Sequence, residues 1–217
     1  MNTVTISTTL PSIKDDSVGF LETTRLIIRP LLYPKDLEAY RTIRAQPEAM
    51  TSSNSGFPDS TMEKTESKLK RLQPPYCDSH IYYGIFLKDG TKEGELIGDG
   101  GVHQFTGTSS GWPEFGYKFK KEHWGLGFAT EFAKAFMIHW WNNLPRDRRQ
   151  IAVIPGSLDF QVSSETPEQV CAWTKNGNKK SERVLEKLGF QIFKGLDNGF
   201  TNWRLTKDLF EKKIKEI

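Results

Sequence analysis

Cysteine is nearly absent from this chain. Cys77 and Cys171 are the two it has, so no disulfide framework is indicated and a reducing compartment is expected. Long apolar runs are missing as well, and without about 18 consecutive apolar residues no spanning helix is expected. So is an excess of charge of one sign. Thirty Lys plus Arg stand against 27 Asp plus Glu, a balance that does not point to nucleic acid. The first twenty residues lack the basic and apolar regions of a secretory signal. Histidine is scarce too: His80, His103, His123 and His139 are scattered, and no cluster of His, Cys or carboxylate has metal-ligand spacing. These absences lead to the expectation of a cytoplasmic protein with no metal, no membrane and no nucleic acid among its partners.

What is present suits a packed core. Hydrophobic residues make up 36% of the 217 positions and aromatics 12%. The expected organisation is a flexible polar arm over 1–20 and a single domain over 21–217. Strands and helices alternate in the pattern. "RLIIRPL" from Arg25 is β-branched and stopped by proline, which predicts a strand. "KDLEAYRTIRA" has helical spacing, and residues 51–60 are loop by their Ser, Asn, Gly and Pro content. Residues 61–72 make a second helix, and residues 81–105 a hairpin turning near Asp89 to Gly94. The basic run "RDRRQ" from Arg146 follows a helix end, where cations suit the negative pole of the dipole. "QIAVIP" and "EQVCAWTK" are strand-like, with an insertion over 156–166 between them, and a last hairpin turns at "LDNG".

The stretch "WPEFGYKFK" alternates Phe115, Tyr117 and Phe119 with Glu114, Gly116 and Lys118, so the aromatics share one face. "HWGLGFAT" then leads directly into a helix carrying Phe128, Phe132, Ala135 and His139 on one side. On that helix the adjacent Trp140 and Trp141 cannot both face the core, and one is expected to be partly exposed. Strand, glycine turn and helix together make an anion site, because the first helical amides lack partners and the dipole is positive there. A Walker loop would need a lysine followed by Ser or Thr, which "GLGFAT" lacks. A dinucleotide fold would place such a turn after its first strand. A tight connection without ligand remains open.

"WGLGFATE" after a strand that begins with Glu114, followed some fifty residues later by "NKKSERVLEKLGF", resembles the GNAT superfamily of acetyl-CoA-dependent N-acetyltransferases. Together with the opening "LETTRLIIRPL", the likeness is to the branch of ribosomal-protein alanine acetyltransferases, over roughly 21–207. The resemblance implies a mixed α/β fold, a twisted and mostly antiparallel sheet with a splayed parallel strand pair, flanked by helices. It implies acetyl-CoA as co-substrate, its pyrophosphate cradled by the turn comprising Trp124, Gly125, Leu126, Gly127, Phe128, Ala129 and Thr130. Pantetheine would pair with the backbone of Tyr117, Lys118 and Phe119, Asn178 would hold it, and Ser181 would lie near the thioester sulfur. The chain departs from the pattern at Leu185, where the superfamily often has a tyrosine that acts as acid.

Attack of an amine on a thioester needs a base, an oxyanion donor and protection of the leaving thiolate. Glu114 is the first candidate for the base. His103 in "GGVHQF" is the second, since the ordinary pKa of histidine is nearer neutrality. Ser181 is the candidate donor to sulfur, and its place at a helix start also allows a capping role. Cys171 lies on an apolar strand with no histidine partner in the pattern, which favours direct transfer in a ternary complex over an acyl-enzyme. The expected activity is N-acetylation of a primary amine, either a small molecule or a protein N-terminus, by a monomer or homodimer. A catalytically inactive acyl-CoA-binding module of the same fold is the alternative.

Overall fold

The computed structural model describes residues 2–12, 19–51, 53, 56–74, 80–158, 166–196 and 199–216. In chain order its elements are β1 (Val4–Pro11), β2 (Leu21–Glu22), β3 (Leu26–Arg29), α1 (Leu37–Arg44), α2 (Pro47–Met50), α3 (Met62–Lys70), β4 (Ile81–Asp89), β5 (Lys92–Gln104), β6 (Glu114–Phe119) and α4 (Phe128–Asn142), then β7 (Arg146–Val153), β8 (Gln169–Lys175), α5 (Lys179–Leu188), β9 (Gln191–Phe193), β10 (Phe200–Thr206) and α6 (Lys207–Ile214). Strands β2, β3, β4, β5, β6, β8, β10 and β9 form, in that order, an eight-stranded sheet. Its registered pairs are antiparallel except β6 with β8, which run parallel and meet at Glu114 opposite Cys171. This is the mixed, mostly antiparallel architecture that the motifs implied. Cys77, residues 159–165 of the expected insertion and Asp197 and Asn198 of the last turn lie outside the described residues.

Chain contacts divide the molecule into two compact units, each assembled from separate segments. The first comprises Met1–Ile13, Val102–Gly116 and Met137–Ile217, and the second Lys14–Gly101 and Tyr117–Phe136.

In the first unit the structure corrects the expectation of a flexible arm. Val4–Pro11 pairs along its whole length with β7, from Val4 opposite Val153 to Pro11 opposite Arg146. The cause is alternation carried partly by threonine: Ile6, Thr8 and Leu10 face inward, and Ile6 and Leu10 pack with Trp112, Ile151 and Val153. The buried Thr8 hydroxyl is satisfied by the Thr166 carbonyl at 2.7 Å. A second difference concerns "RDRRQ", which follows the end of α4 as expected and is itself the first part of β7. Arg146 keeps the expected role, donating from Nη1 to the Leu144 carbonyl at 2.9 Å and from Nη2 to that of Trp140 at the end of α4. A third concerns Trp141, which is buried like Trp140 because α6, not foreseen from the sequence, lays Phe210 against it at 5.5 Å between ring centroids.

In the second unit the face of α1 carrying Tyr40 and Ile43 joins Ile27, Phe86, Leu96 and, from α3, Leu69 in one core. Phe132 and Phe136, fully buried, anchor α4, with the Phe132 ring edge-on to Phe119 at 6.5 Å.

Candidate active site

Gly125 and Gly127 have φ of 77° and 85°. That left-handed backbone, rather than crowding, is why glycine stands there: a Cβ on Gly125 would meet nothing within 4 Å, and one on Gly127 only the Arg25 Nη2 at 3.3 Å. The turn from Trp124 to Gly127 is exposed. Phe128 then starts α4, so its own amide and those of Ala129 and Thr130 face the end of the helix without intrahelical acceptors. Trp124 is tied back through its indole N–H to the Phe119 carbonyl at 2.8 Å, which fixes the turn to the end of β6.

Arg25, from the opening motif, braces this turn. Its Nη1 donates to the Leu126 carbonyl at 2.9 Å, its Nε donates to Glu131 Oε2 at 2.7 Å, and its guanidinium lies 4.4 Å over the Phe128 ring. Glu131 also accepts from the Thr23 hydroxyl at 2.7 Å. Burial works against ionisation of Glu131, yet the Thr23 and Arg25 donors hold its carboxyl below the usual range. The motifs around Arg25 and Glu131 thus meet, leaving a cation beside a ring of outward amides. Such a cradle fits a pyrophosphate by charge and by donor chemistry.

Both base candidates, Glu114 and His103, come together in the first unit. His103 Nε2 lies 2.9 Å from Glu114 Oε1. A residue that the sequence analysis missed, Trp173 of β8, donates its indole N–H to the same oxygen at 2.6 Å. Parallel pairing of Glu114 with Cys171 brings Trp173 there, a register no local pattern announces. Trp173 is held in turn by Phe200, ring centroids 4.7 Å apart.

Asn178 and Ser181 sit at the start of α5, where the capping role considered for Ser181 falls to Asn178. Asn178 is the N-cap, its Oδ1 accepting from the Ser181 amide at 3.3 Å, and Ser181 is half-buried in the first turn. Leu185 is buried. Cys171 is core, its thiol pushed up to about 12 chiefly by burial, which removes it as a nucleophile.

Two further groupings were not legible. Lys118, placed by alternation opposite the aromatics, ion-pairs at 2.6 Å with Asp99, which is fully buried and also accepts from the Tyr82 hydroxyl at 3.0 Å. Burial pulls the Lys118 ammonium below the ordinary lysine range, and Asp99 opposes it. Glu95, Glu122 and His123 bring their ligand atoms within 4.8 Å of one another, although sequence spacing offered no such group. Lys120 Nζ sits on Glu95 at 2.6 Å and Gln46 donates to Glu122 at 2.9 Å, so the trio already has cationic and amide partners. Among the described residues no helix is long and apolar enough to cross a membrane.

Comparison with known proteins bears on the same residues. A family model described as an acetyltransferase (GNAT) domain matches residues 25–191, from the bracing arginine to the start of β9. The uncharacterized protein YkkB of Bacillus subtilis (strain 168) is 26% identical over 133 residues, a match spanning 60% of this chain and 63% of that protein's length. Similar solved structures include a GNAT-family acetyltransferase from Bacillus anthracis, 18% identical with a TM-score of 0.61, covering 88% of this chain and 99% of that one. Mycobacterium smegmatis RimJ in complex with CoA-disulfide is 16% identical with a TM-score of 0.62, covering 91% and 93%. A GCN5-related N-acetyltransferase from Brucella melitensis is 15% identical with a TM-score of 0.65, covering 95% and 86%. At these identities the structural likeness is one of fold, and the family match extends over most of the chain: it belongs to the GNAT family of acetyltransferases.

Proposed function

We propose that the protein is an acetyl-CoA-dependent N-acetyltransferase that moves the acetyl group to a primary amine by direct attack in a ternary complex. The observation that carries this is the glycine turn braced by Arg25, whose left-handed glycines and outward amides suit a pyrophosphate. The backbone of Tyr117, Lys118 and Phe119 would pair with the pantetheine arm, and Asn178 would contact it. Ser181 would donate to the leaving sulfur, a role that buried Leu185 cannot fill. The carboxylate and imidazole of Glu114 and His103 supply a base, and the high thiol pKa of Cys171 argues against an acyl-enzyme. When bound, acetyl-CoA supplies the activated acyl carbon. The acceptor is a small amine or a protein N-terminus.

The test is thiol release from acetyl-CoA with a panel of a primary alkylamine, a diamine and an alanine-initiated peptide. At least one is expected to release thiol, and none doing so would leave a binding module. Gly127→Glu would set a carboxylate against the pyrophosphate on strained backbone. It should fold and lose CoA affinity in calorimetry, and unchanged affinity would move the cradle to another loop.

A further inference from the structure

Glu114 and His103 entered as competing bases, yet their geometry gives them different tasks. Glu114 Oε1 faces two nitrogens, the indole Nε1 of Trp173 at 2.6 Å and the imidazole Nε2 of His103 at 2.9 Å. An ionised carboxylate only accepts, so both nitrogens must bring hydrogens to it. An imidazole that spends its Nε2 hydrogen on a carboxylate is, when neutral, left with its lone pair on Nδ1. Nδ1 turns toward Gly116, where an added Cβ would stand only 3.5 Å from it. Gly116 is the one position between Glu114 and Lys118 on that face of β6, so the absent side chain keeps the approach to Nδ1 clear. Charged neighbours are few. Cys171 on β8 is protonated, and the buried Arg204 on β10 donates to the Ser157 carbonyl at 3.0 Å. Farther along β5 and β6, Asp99 and Lys118 pair with each other.

We infer that His103 Nδ1 is the atom that takes the proton from the acceptor amine, with Glu114 as the residue that orients the ring and Trp173 as the residue that holds Glu114. The inference rests on the acetyltransferase reading above. As the amine lone pair forms the C–N bond, one amine proton passes to Nδ1. The C–S bond breaks with its electron pair on sulfur, and the imidazolium then gives up its proton to the thiolate, directly or through water. Glu114 stays ionised throughout and stabilises the transient imidazolium, the division of labour familiar from carboxylate–imidazole pairs in hydrolases. Glutamate as direct base would instead take the proton on Oε2, since Oε1 already faces two donors.

The tautomer is read first, from imidazole ¹⁵N shifts of the wild-type protein, which needs neither a variant nor an acceptor. Hydrogen on Nε2 with Nδ1 bare is expected, and hydrogen on Nδ1 overturns the inference. In Glu114→Gln the side-chain amide can donate to Nε2, so the hydrogen should move to Nδ1 and turnover should fall. In the thiol-release assay His103→Ala should lose turnover by roughly 10² to 10⁴, keep its affinity for CoA and change its pH profile. Free imidazole should restore part of that loss in His103→Ala and none in Glu114→Gln. Should His103→Ala hold its turnover and its pH profile, Glu114 takes the proton itself and the inference falls, with acetyl transfer intact. A wild-type protein that releases no thiol with any amine overturns the acetyltransferase reading and the catalytic role together, and the ¹⁵N tautomer still shows whether the pair forms as described.

Discussion

Arg25 is an exposed side chain proposed to matter more for a ligand than for the fold. Its side chain is 45% exposed, so its ion pair with Glu131 belongs to the class worth at most about 1 kcal/mol in stability. Its contact with the Leu126 carbonyl, however, sets the shape of the turn whose amides are proposed to meet pyrophosphate. Arg25→Ala should therefore leave the thermal midpoint nearly unchanged and weaken CoA binding about tenfold, on the order of one charge-assisted hydrogen bond. Calorimetric titration with CoA measures it, and equal affinity in mutant and wild type would show that the brace is idle. The sequence offered the members of this arrangement but not their meeting. "LETTRLIIRPL" and "WGLGFATE" were conspicuous separately, and the bond between Arg25 and Glu131 spans 106 positions.

Between elements, Asp59 is a polar tie in the second unit. It accepts from Arg44 of α1 at 2.9 Å through each oxygen, from Lys68 of α3 at 2.5 Å and from the Thr65 hydroxyl at 3.1 Å. Arg44 and Asp59 are both buried, so removing the carboxylate would strand a guanidinium away from water. Asp59→Ala should cost about 3 to 5 kcal/mol, the usual penalty for breaking a buried pair from one side. Urea denaturation checks it, and a loss below about 1 kcal/mol would mean that α1 and α3 part to let water in. Residues 51–60 were read as loop from composition, and that holds for the described part, but composition does not reveal a carboxylate that joins two helices. Strand and helix periods were mostly legible: β6, α4 and α5 fall within a few residues of their expected places. β1 was missed because Thr8, standing inward between Ile6 and Leu10, hid the period of two that those residues carried.

At the scale of the whole molecule, several carboxylates tie stability to acid pH. Asp36, Asp59 and Glu131 are all held below their ordinary ranges: burial opposes the shift, and hydrogen bonds and charge from Arg29, Arg44 with Lys68, and Thr23 with Arg25 outweigh it. A carboxyl depressed in the folded state contributes stability that is present above its unfolded value and is lost as pH falls toward the folded one. Glu168 runs the other way, raised mainly by burial despite Arg146, so its contribution is lost as pH rises. With the lowered carboxyls outweighing Glu168, the thermal midpoint should fall below about pH 5, and Asp59→Asn should flatten that fall. A midpoint insensitive to acid would contradict the pairings. By itself the sequence determined the alternation of strands and helices, the glycine turn at the head of α4 and the apolar strand that carries Cys171, because these follow from local periodicity, backbone freedom and side-chain chemistry. Only the tertiary structure decided that β1 is a strand of a sheet, that Trp173 and His103 share one oxygen of Glu114, and that Arg25 reaches the turn. Each of these depends on strand register or on contacts between distant segments, whose geometry is set by how the whole chain packs and not by any window along it.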